Sequence, residues 1–319
     1  MSNMASIEWM EPGVNSIMRQ LRMEDKEREN EGKPPLNSPD VMMTGDYVFT
    51  PITPLDRIGD SGQLLLAKKE SDRSQRYLVK HEFTDCAANE FVYTKLAQAM
   101  RFKMPDAFLF QFSKGEKRRY FKTEYILGTT FLDFVVESPT YEQIREQAAN
   151  WQDFFHFQAM YTMCREQDSF EVPIASDGYL YRVDTTASFI LSDNMLAQAG
   201  INEVIGNSVP KENIKKYIEQ YDFDNCWQYC NFDTELQHLL QRYGEECREP
   251  YMETFSLIQE IRPDYIDGFL NALCYFYPDF IGDYFKRFIT ALQKQSAAFL
   301  KEKRRGSSSP FYRSIFRCG

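Results

Sequence analysis

The sequence predicts an α+β protein in which a strand-rich N-terminal half precedes a predominantly helical C-terminal half. Across residues 47–112, short apolar runs alternate with turn residues, which is typical of strands. From Tyr141 onward, apolar residues recur at helical spacing over long stretches. These patterns divide the chain into an N-terminal helix and linker, a strand-rich domain, a helical domain and a basic, Ser-rich tail, at 1–46, 47–127, 128–303 and 304–319.

Composition excludes several classes of protein. The 319 residues are 43% hydrophobic and 15% aromatic, which describes a globular chain able to build a large core. A net charge of −10 disfavours a nucleic-acid partner, which would need basic patches. No run approaches the ~20 apolar residues of a membrane span, so no transmembrane segment is expected. An odd number of scattered cysteines, seven, and the lack of a secretory signal predict a cytoplasmic location, although export of a bacterial effector by a specialised route would leave no such pattern.

Three strands and a glycine turn open the strand-rich domain. "YVFTPITPL", "GQLLLAKKE" and "RYLVKHEF" are the predicted strands. Gly59, Ser61 and Gly62 lie in the turn before the second of them. Backbone amides in such a turn can lie over phosphate oxygens, although glycines in a hairpin are more often simply a turn.

Lys80 lies inside the third predicted strand, and Glu90 follows in the predicted amphipathic helix "CAANEFVYTKLAQAM". Taken alone, Lys80 is typical of an edge-strand lysine whose stem extends to solvent. A strand lysine that faces a helix glutamate can instead hold its ammonium group against phosphate oxygens. "TEYIL" at 123–127 then ends a strand before the helical half, so we expect the connector between the two domains there.

A hairpin near the start of the helical half carries two acids. Asp-Gly in "VPIASDGYLYRVDTTASF", residues 172–189, is a strong turn signal between two extended runs. Asp168 precedes this hairpin and Asp184 ends it, sixteen residues later, so the two carboxylates are expected to lie close together. That arrangement suits a base or orienting carboxylate beside a metal-binding one. Either acid alone is more simply one exposed loop acid among 47 acidic residues.

The ordered set resembles the atypical kinases of the HipA and phosphatidylinositol 3/4-kinase type, over roughly residues 47–195. "YLVKHEF…NEF" is similar to their strand Lys and helix Glu, "QDSFEVPI" to the catalytic loop D-R-H-x-x-N, and "YRVDTTASF" to the metal-binding segment. The resemblance implies a bilobal kinase-like fold, with ATP and Mg²⁺ as cofactors and a protein Ser/Thr or a phosphoinositide as acceptor. The roles it implies are phosphate contact for Lys80, orientation of Lys80 for Glu90, base or orienter for Asp168, Mg²⁺ ligand for Asp184, and nucleotide contacts for Gly59, Ser61, Gly62, Glu124 and Ile126.

The chain departs from that family at the loop. Ser169 and Phe170 stand where the family has Arg-His, and Pro173 stands where the family has its metal-binding Asn. Glu171 is the residue expected to supply the missing ligand. These changes leave a pseudokinase that binds nucleotide or serves as a scaffold as the alternative function. A small-molecule kinase and a helical interaction protein with an N-terminal β-sandwich are further alternatives, and no pattern predicts an oligomeric state.

Overall fold

A computed structural model of the chain describes residues 41–43, 47–51, 64–72, 74–80, 84–111, 125–189, 219, 221–223, 226–227, 232–273 and 279–307. The predicted phosphate turn with Gly59, Ser61 and Gly62 lies outside the described residues, as does Glu124. So do the predicted N-terminal helix and most of the predicted basic tail.

The N-terminal part is built on a six-stranded sheet in the order β1-β5-β6-β4-β3-β2. Its strands are β1 Val41–Met43, β2 Tyr47–Pro51, β3 Leu65–Lys69, β4 Arg76–Lys80, β5 Ala107–Gln111 and β6 Tyr125–Thr130. All neighbouring strands are antiparallel except β1 and β5. Alternate residues such as Leu65, Ala67, Tyr77 and Val79 form a buried cluster on one face of the sheet, as period-2 patterning requires.

Two boundaries differ from those predicted. The segment 1–46 was expected to contain a helix and a linker, but residues 41–43 form β1 and pair with β5. The first domain was expected to end at 127, whereas β6 continues to Thr130 because it pairs along β4 as far as Tyr77. Residues 128–130 therefore belong to the sheet.

Helix α1, Thr84–Ala99, packs on β5 and β6. It was predicted to be amphipathic, yet every residue from 87 to 97 is buried. The reason is that α1 contacts a helix of the C-terminal part as well as the sheet, so little of its surface remains for solvent. Polar residues within this stretch, Asn89 and Glu90 among them, are consequently buried and need partners.

The C-terminal part is mainly helical and also contains a two-stranded sheet of β7 Phe134–Val136 and β8 Ile174–Ala175. Its described helices are α2 Tyr141–Gln147, α3 Asp153–Met163, α4 Phe232–Tyr243, α5 Arg248–Glu260, α6 Pro263–Leu273 and α7 Asp279–Ser307. One large core joins these helices to α1 and the inner face of the sheet. Sheet followed by helices confirms the predicted α+β class and is consistent with a kinase-like bilobal fold. None of the described helices has the length and apolarity needed to cross a membrane.

The sequence pattern predicts one continuous helix over 140–167 and another over 234–261, but both are broken. The first divides into α2 and α3 because Ala148 is extended at φ −92° and ψ 126°. Asn150, just after it, bonds the backbone of Leu180 twice, at 2.7 and 3.0 Å, which fastens the break to the hairpin. The second divides into α4 and α5 at Gly244, whose φ of 77° suits glycine.

Candidate functional site

Lys80 lies at the junction of the sheet, helix α1 and the hairpin. Its Nζ donates to Glu90 Oε2 at 2.9 Å and to Asp184 Oδ1 at 3.0 Å. The lysine and Glu90 side chains are 11% and 5% exposed, whereas that of Asp184 is 41% exposed. Because β4 is an interior strand between β3 and β6, Lys80 is not an edge lysine extending to solvent. The structure thus joins three of the residues that the sequence selected.

The charges of this group favour an ionised Asp184. Burial alone would raise the pKa of Asp184, but attraction to Lys80 and its hydrogen bond outweigh burial and hold the pKa below the ordinary value. Burial raises the pKa of Glu90, opposed by Lys80 and reinforced by Asp184. One ammonium group therefore serves two carboxylates, and the more exposed carboxylate is the one held in its charged form. Such a group can accept a cation from the solvent side.

The backbone explains why the strand stops at Asp184. Val183 still pairs with Glu171, and Asp184 then adopts φ 55°, in the left-handed region. A non-glycine residue in this conformation turns the chain sharply and is often found at functional sites. The following turn is fastened to helix α1, because Asn89 Nδ2 donates to the Thr186 carbonyl at 2.9 Å.

The predicted hairpin is present. Gly178 has φ 80° at its tip, and Ala175 N–H donates to the Tyr179 carbonyl at 2.9 Å. Pairing continues toward the base, where Tyr181 N–H donates to the Pro173 carbonyl at 3.0 Å. Pro173 thus contributes to the hairpin through its backbone, and its side chain carries no group able to bind a metal.

Asp168 and Glu171 lie on the exposed loop that precedes the hairpin. Asp168 Oδ1 accepts from the Ser169 amide at 2.7 Å, and Tyr161 donates its hydroxyl to the Asp168 carbonyl at 3.0 Å. Glu171 Oε1 accepts from the Ser169 hydroxyl at 2.8 Å. Within the described ranges, no three His, Cys, Asp or Glu side chains are grouped so that they could hold a metal ion. Mg²⁺ at Asp184 would therefore depend on phosphate oxygens for further ligands, as Mg²⁺ commonly does.

Ile126, predicted as a nucleotide contact, lies in β6 opposite Phe110. It immediately precedes Leu127, the partner of Lys80 in the β4–β6 register. A nucleotide contact of Ile126 stays a prediction.

A buried ion pair lies beside the two acids and was not predicted from the sequence. Arg182 and Glu166 bond each other, and both side chains are fully buried. Burial raises the pKa of Glu166, and Arg182 opposes that rise. A signal existed in the sequence: Arg182 alternates with Leu180 along a buried strand, and a charged residue in such a position requires a partner.

The chain was compared with protein families, curated proteins and solved structures. No protein-family model matches the chain. No curated protein matches it. Among solved structures, it is similar to that of a Helicobacter pylori proinflammatory kinase, CtkA, with a TM-score of 0.38 and 10% identity, over 81% of this chain and 99% of that chain. This likeness does not place the chain in a family, and the resemblance to HipA and phosphatidylinositol 3/4-kinases stays a prediction.

Proposed function

We propose that the protein is a phosphotransferase that uses ATP and Mg²⁺ and transfers a phosphoryl group to a protein Ser or Thr. The observation that supports this most is the buried Lys80, bonded to both Glu90 and the half-exposed Asp184. An ammonium group that a helix carboxylate already holds in place can contact phosphate oxygens without a further entropy cost for ordering its side chain. An inositol lipid headgroup is the less favoured acceptor. Apart from the short basic tail, no segment of the sequence resembles a membrane-docking patch.

The roles follow from position. Glu90 orients Lys80, and Lys80 contacts the nucleotide phosphates. Asp184 would hold Mg²⁺, whose positive charge would offset the negative charge of the phosphates during transfer. Asp168, exposed on the neighbouring loop, orients the acceptor hydroxyl or takes its proton.

The remaining predicted nucleotide contacts are Gly59, Ser61, Gly62, Glu124 and Ile126, with Glu171 as a further metal ligand. Glu171 would have to give up its bond to the Ser169 hydroxyl to reach a metal ion. The phosphates of the nucleotide would then lie beside Lys80 and the half-exposed Asp184. We further propose that the protein acts in the cytoplasm.

The test is phosphate transfer from labelled ATP by wild type, Lys80→Met and Lys68→Met. Lys68 is an exposed lysine on β3, next to β4, and serves as the matched control. We expect transfer by wild type and by Lys68→Met, and a loss of at least about 100-fold in Lys80→Met. Equal transfer by a folded Lys80→Met variant would refute the role of Lys80.

A pseudokinase is the second candidate. It is favoured by Pro173, which replaces the amide ligand expected at that position with a side chain that cannot bind metal. This function predicts that wild type binds ATP but transfers no phosphate to itself or to a general acceptor protein. Binding and transfer measured on the same sample separate the two candidates.

A further inference from the structure

We propose that Arg182 is a positioning residue, which sets the two functional segments carrying Asp168 and Asp184 relative to each other. This inference rests on the proposed function, because it assigns Arg182 a part in the same reaction. Arg182 does not itself bond either acid in the described structure, so its action is through the backbone of the loop 166–171.

The ion pair joins the two segments at the same distance along the chain from each acid. Glu166 precedes Asp168 by two residues, and Arg182 precedes Asp184 by two residues. The bond between their side chains therefore links the segments immediately before each acid. Backbone bonds on either side complete the link, from Gln167 N–H to the Ala187 carbonyl at 3.1 Å and from Val183 N–H to the Glu171 carbonyl at 3.3 Å.

The guanidinium group of Arg182 also organises the loop itself. It donates to the Glu171 carbonyl at 2.8 Å and to the Ser169 carbonyl at 3.2 Å, in addition to the Val183 carbonyl. Its carbon lies 5.0 Å from the centre of the Phe170 ring. A planar group with several fixed donors can bond these separate carbonyls at once, whereas a lysine ammonium cannot reproduce the fork.

Stability alone does not explain this arrangement. Both side chains are fully buried, and a buried ion pair is often no more stable than well-packed apolar residues, because two charges must lose their water. Arg182 Nε and Glu166 Oε2 are buried without a hydrogen-bond partner among the described residues, which makes this pair costlier still. What the pair supplies is a fixed geometry for the loop and for the turn at Asp184.

The experiment separates geometry from stability with a double variant. Arg182→Met and Glu166→Leu singly each leave one buried charge uncompensated, so both should lower the unfolding midpoint. Glu166→Leu/Arg182→Met removes both charges and should recover most of the midpoint. We expect kcat for transfer to stay about 100-fold below wild type in the double variant, with KM for ATP within about threefold, because the donors to the loop carbonyls are gone. Arg182→Lys should likewise transfer poorly even though it keeps a positive charge.

A second readout does not depend on activity. Hydrogen exchange at the Val183 amide, which bonds the Glu171 carbonyl, should be faster in the double variant than in wild type. Arg76→Met, which removes an exposed ion pair with Asp133, is the matched control and should change neither measurement. Recovery of kcat together with the midpoint, or unchanged exchange at Val183, would overturn the inference. An inactive wild type would count against the proposed function instead, and exchange at Val183 would still decide whether Arg182 fixes the loop.

Discussion

His156 makes the stability of the protein depend on pH in a direction that the structure fixes. The imidazole is buried in α3, and its ring stacks on Phe102 with centroids 4.6 Å apart. Its Nδ1 lies 2.9 Å from Thr254 Oγ1, and that hydroxyl donates its own proton to the Pro250 carbonyl at 3.0 Å. With the hydroxyl proton directed at Pro250, the hydroxyl oxygen accepts from Nδ1–H of the imidazole.

Lowering the pH from 7 to 5 is the perturbation. Burial lowers the pKa of His156 from 6.5 to about 4. Between pH 6.5 and pH 4, His156 therefore binds a proton in the unfolded chain but not in the folded protein. The stabilisation that the neutral, buried His156 gives the folded state is complete above pH 6.5 and is lost as the pH falls toward 4. The loss amounts to about 2 kcal/mol between pH 7 and pH 5, and to about 3 kcal/mol over the whole titration. Glu253, 3.7 Å from Nε2, favours the charged form, but its carboxylate is 56% exposed and water screens it.

The assay is urea unfolding of wild type and His156→Gln at several pH values. Comparing the two at each pH cancels the titration of the other groups, so the stability difference between them should fall by about 2 kcal/mol from pH 7 to pH 5. His238→Gln is the matched control, because the His238 side chain is 64% exposed and should leave the pH dependence as in wild type. A stability difference that stays constant with pH, or one that grows as the pH falls, would refute the argument.

Two further substitutions test the packing around the site. Gly128→Ala would place its Cβ 2.1 Å from Cε2 of Phe110, a ring that packs edge to face against Tyr47. We therefore expect the free energy of unfolding in urea to fall by about 1–3 kcal/mol, and adding Phe110→Leu should restore part of it. An unchanged stability of Gly128→Ala would show that the ring moves freely. Asn89→Ala removes the buried 2.9 Å bond to the Thr186 carbonyl, and should cost about 1–3 kcal/mol while also slowing transfer, since α1 would no longer hold the turn after Asp184. An Asn89→Ala variant as stable as wild type, or one that transfers phosphate as fast as wild type, would contradict this role of Asn89.

The parts of the site that could be predicted from the sequence are those with short-range signals. Lys80 inside an apolar strand and Glu90 ten residues later, in a helix, are a local pattern, and the structure brings the two together. The Asp-Gly turn likewise determines its hairpin through local backbone preferences. Asp184 could be selected because the extended run ends on it.

The parts that were missed depend on partners distant in the chain. β1 is three residues long and forms because β5 offers it a parallel edge far along the sequence. Arg182 looked like an ordinary strand residue because its partner Glu166 and the loop carbonyls meet it only after the hairpin folds back. The break between α2 and α3 depends in the same way on Asn150 and the hairpin backbone.

The central claim is that Lys80 and Asp184 form a site for the phosphates of ATP and Mg²⁺. Calorimetric titration of ATP with and without Mg²⁺, on wild type, Asp184→Asn and the exposed control Asp283→Asn, tests it most directly. We predict that Mg²⁺ tightens ATP binding to wild type and to Asp283→Asn by at least about tenfold, and that Asp184→Asn loses this dependence. Binding of ATP by Asp184→Asn with the same Mg²⁺ dependence as wild type, or no binding of ATP by wild type, would contradict it.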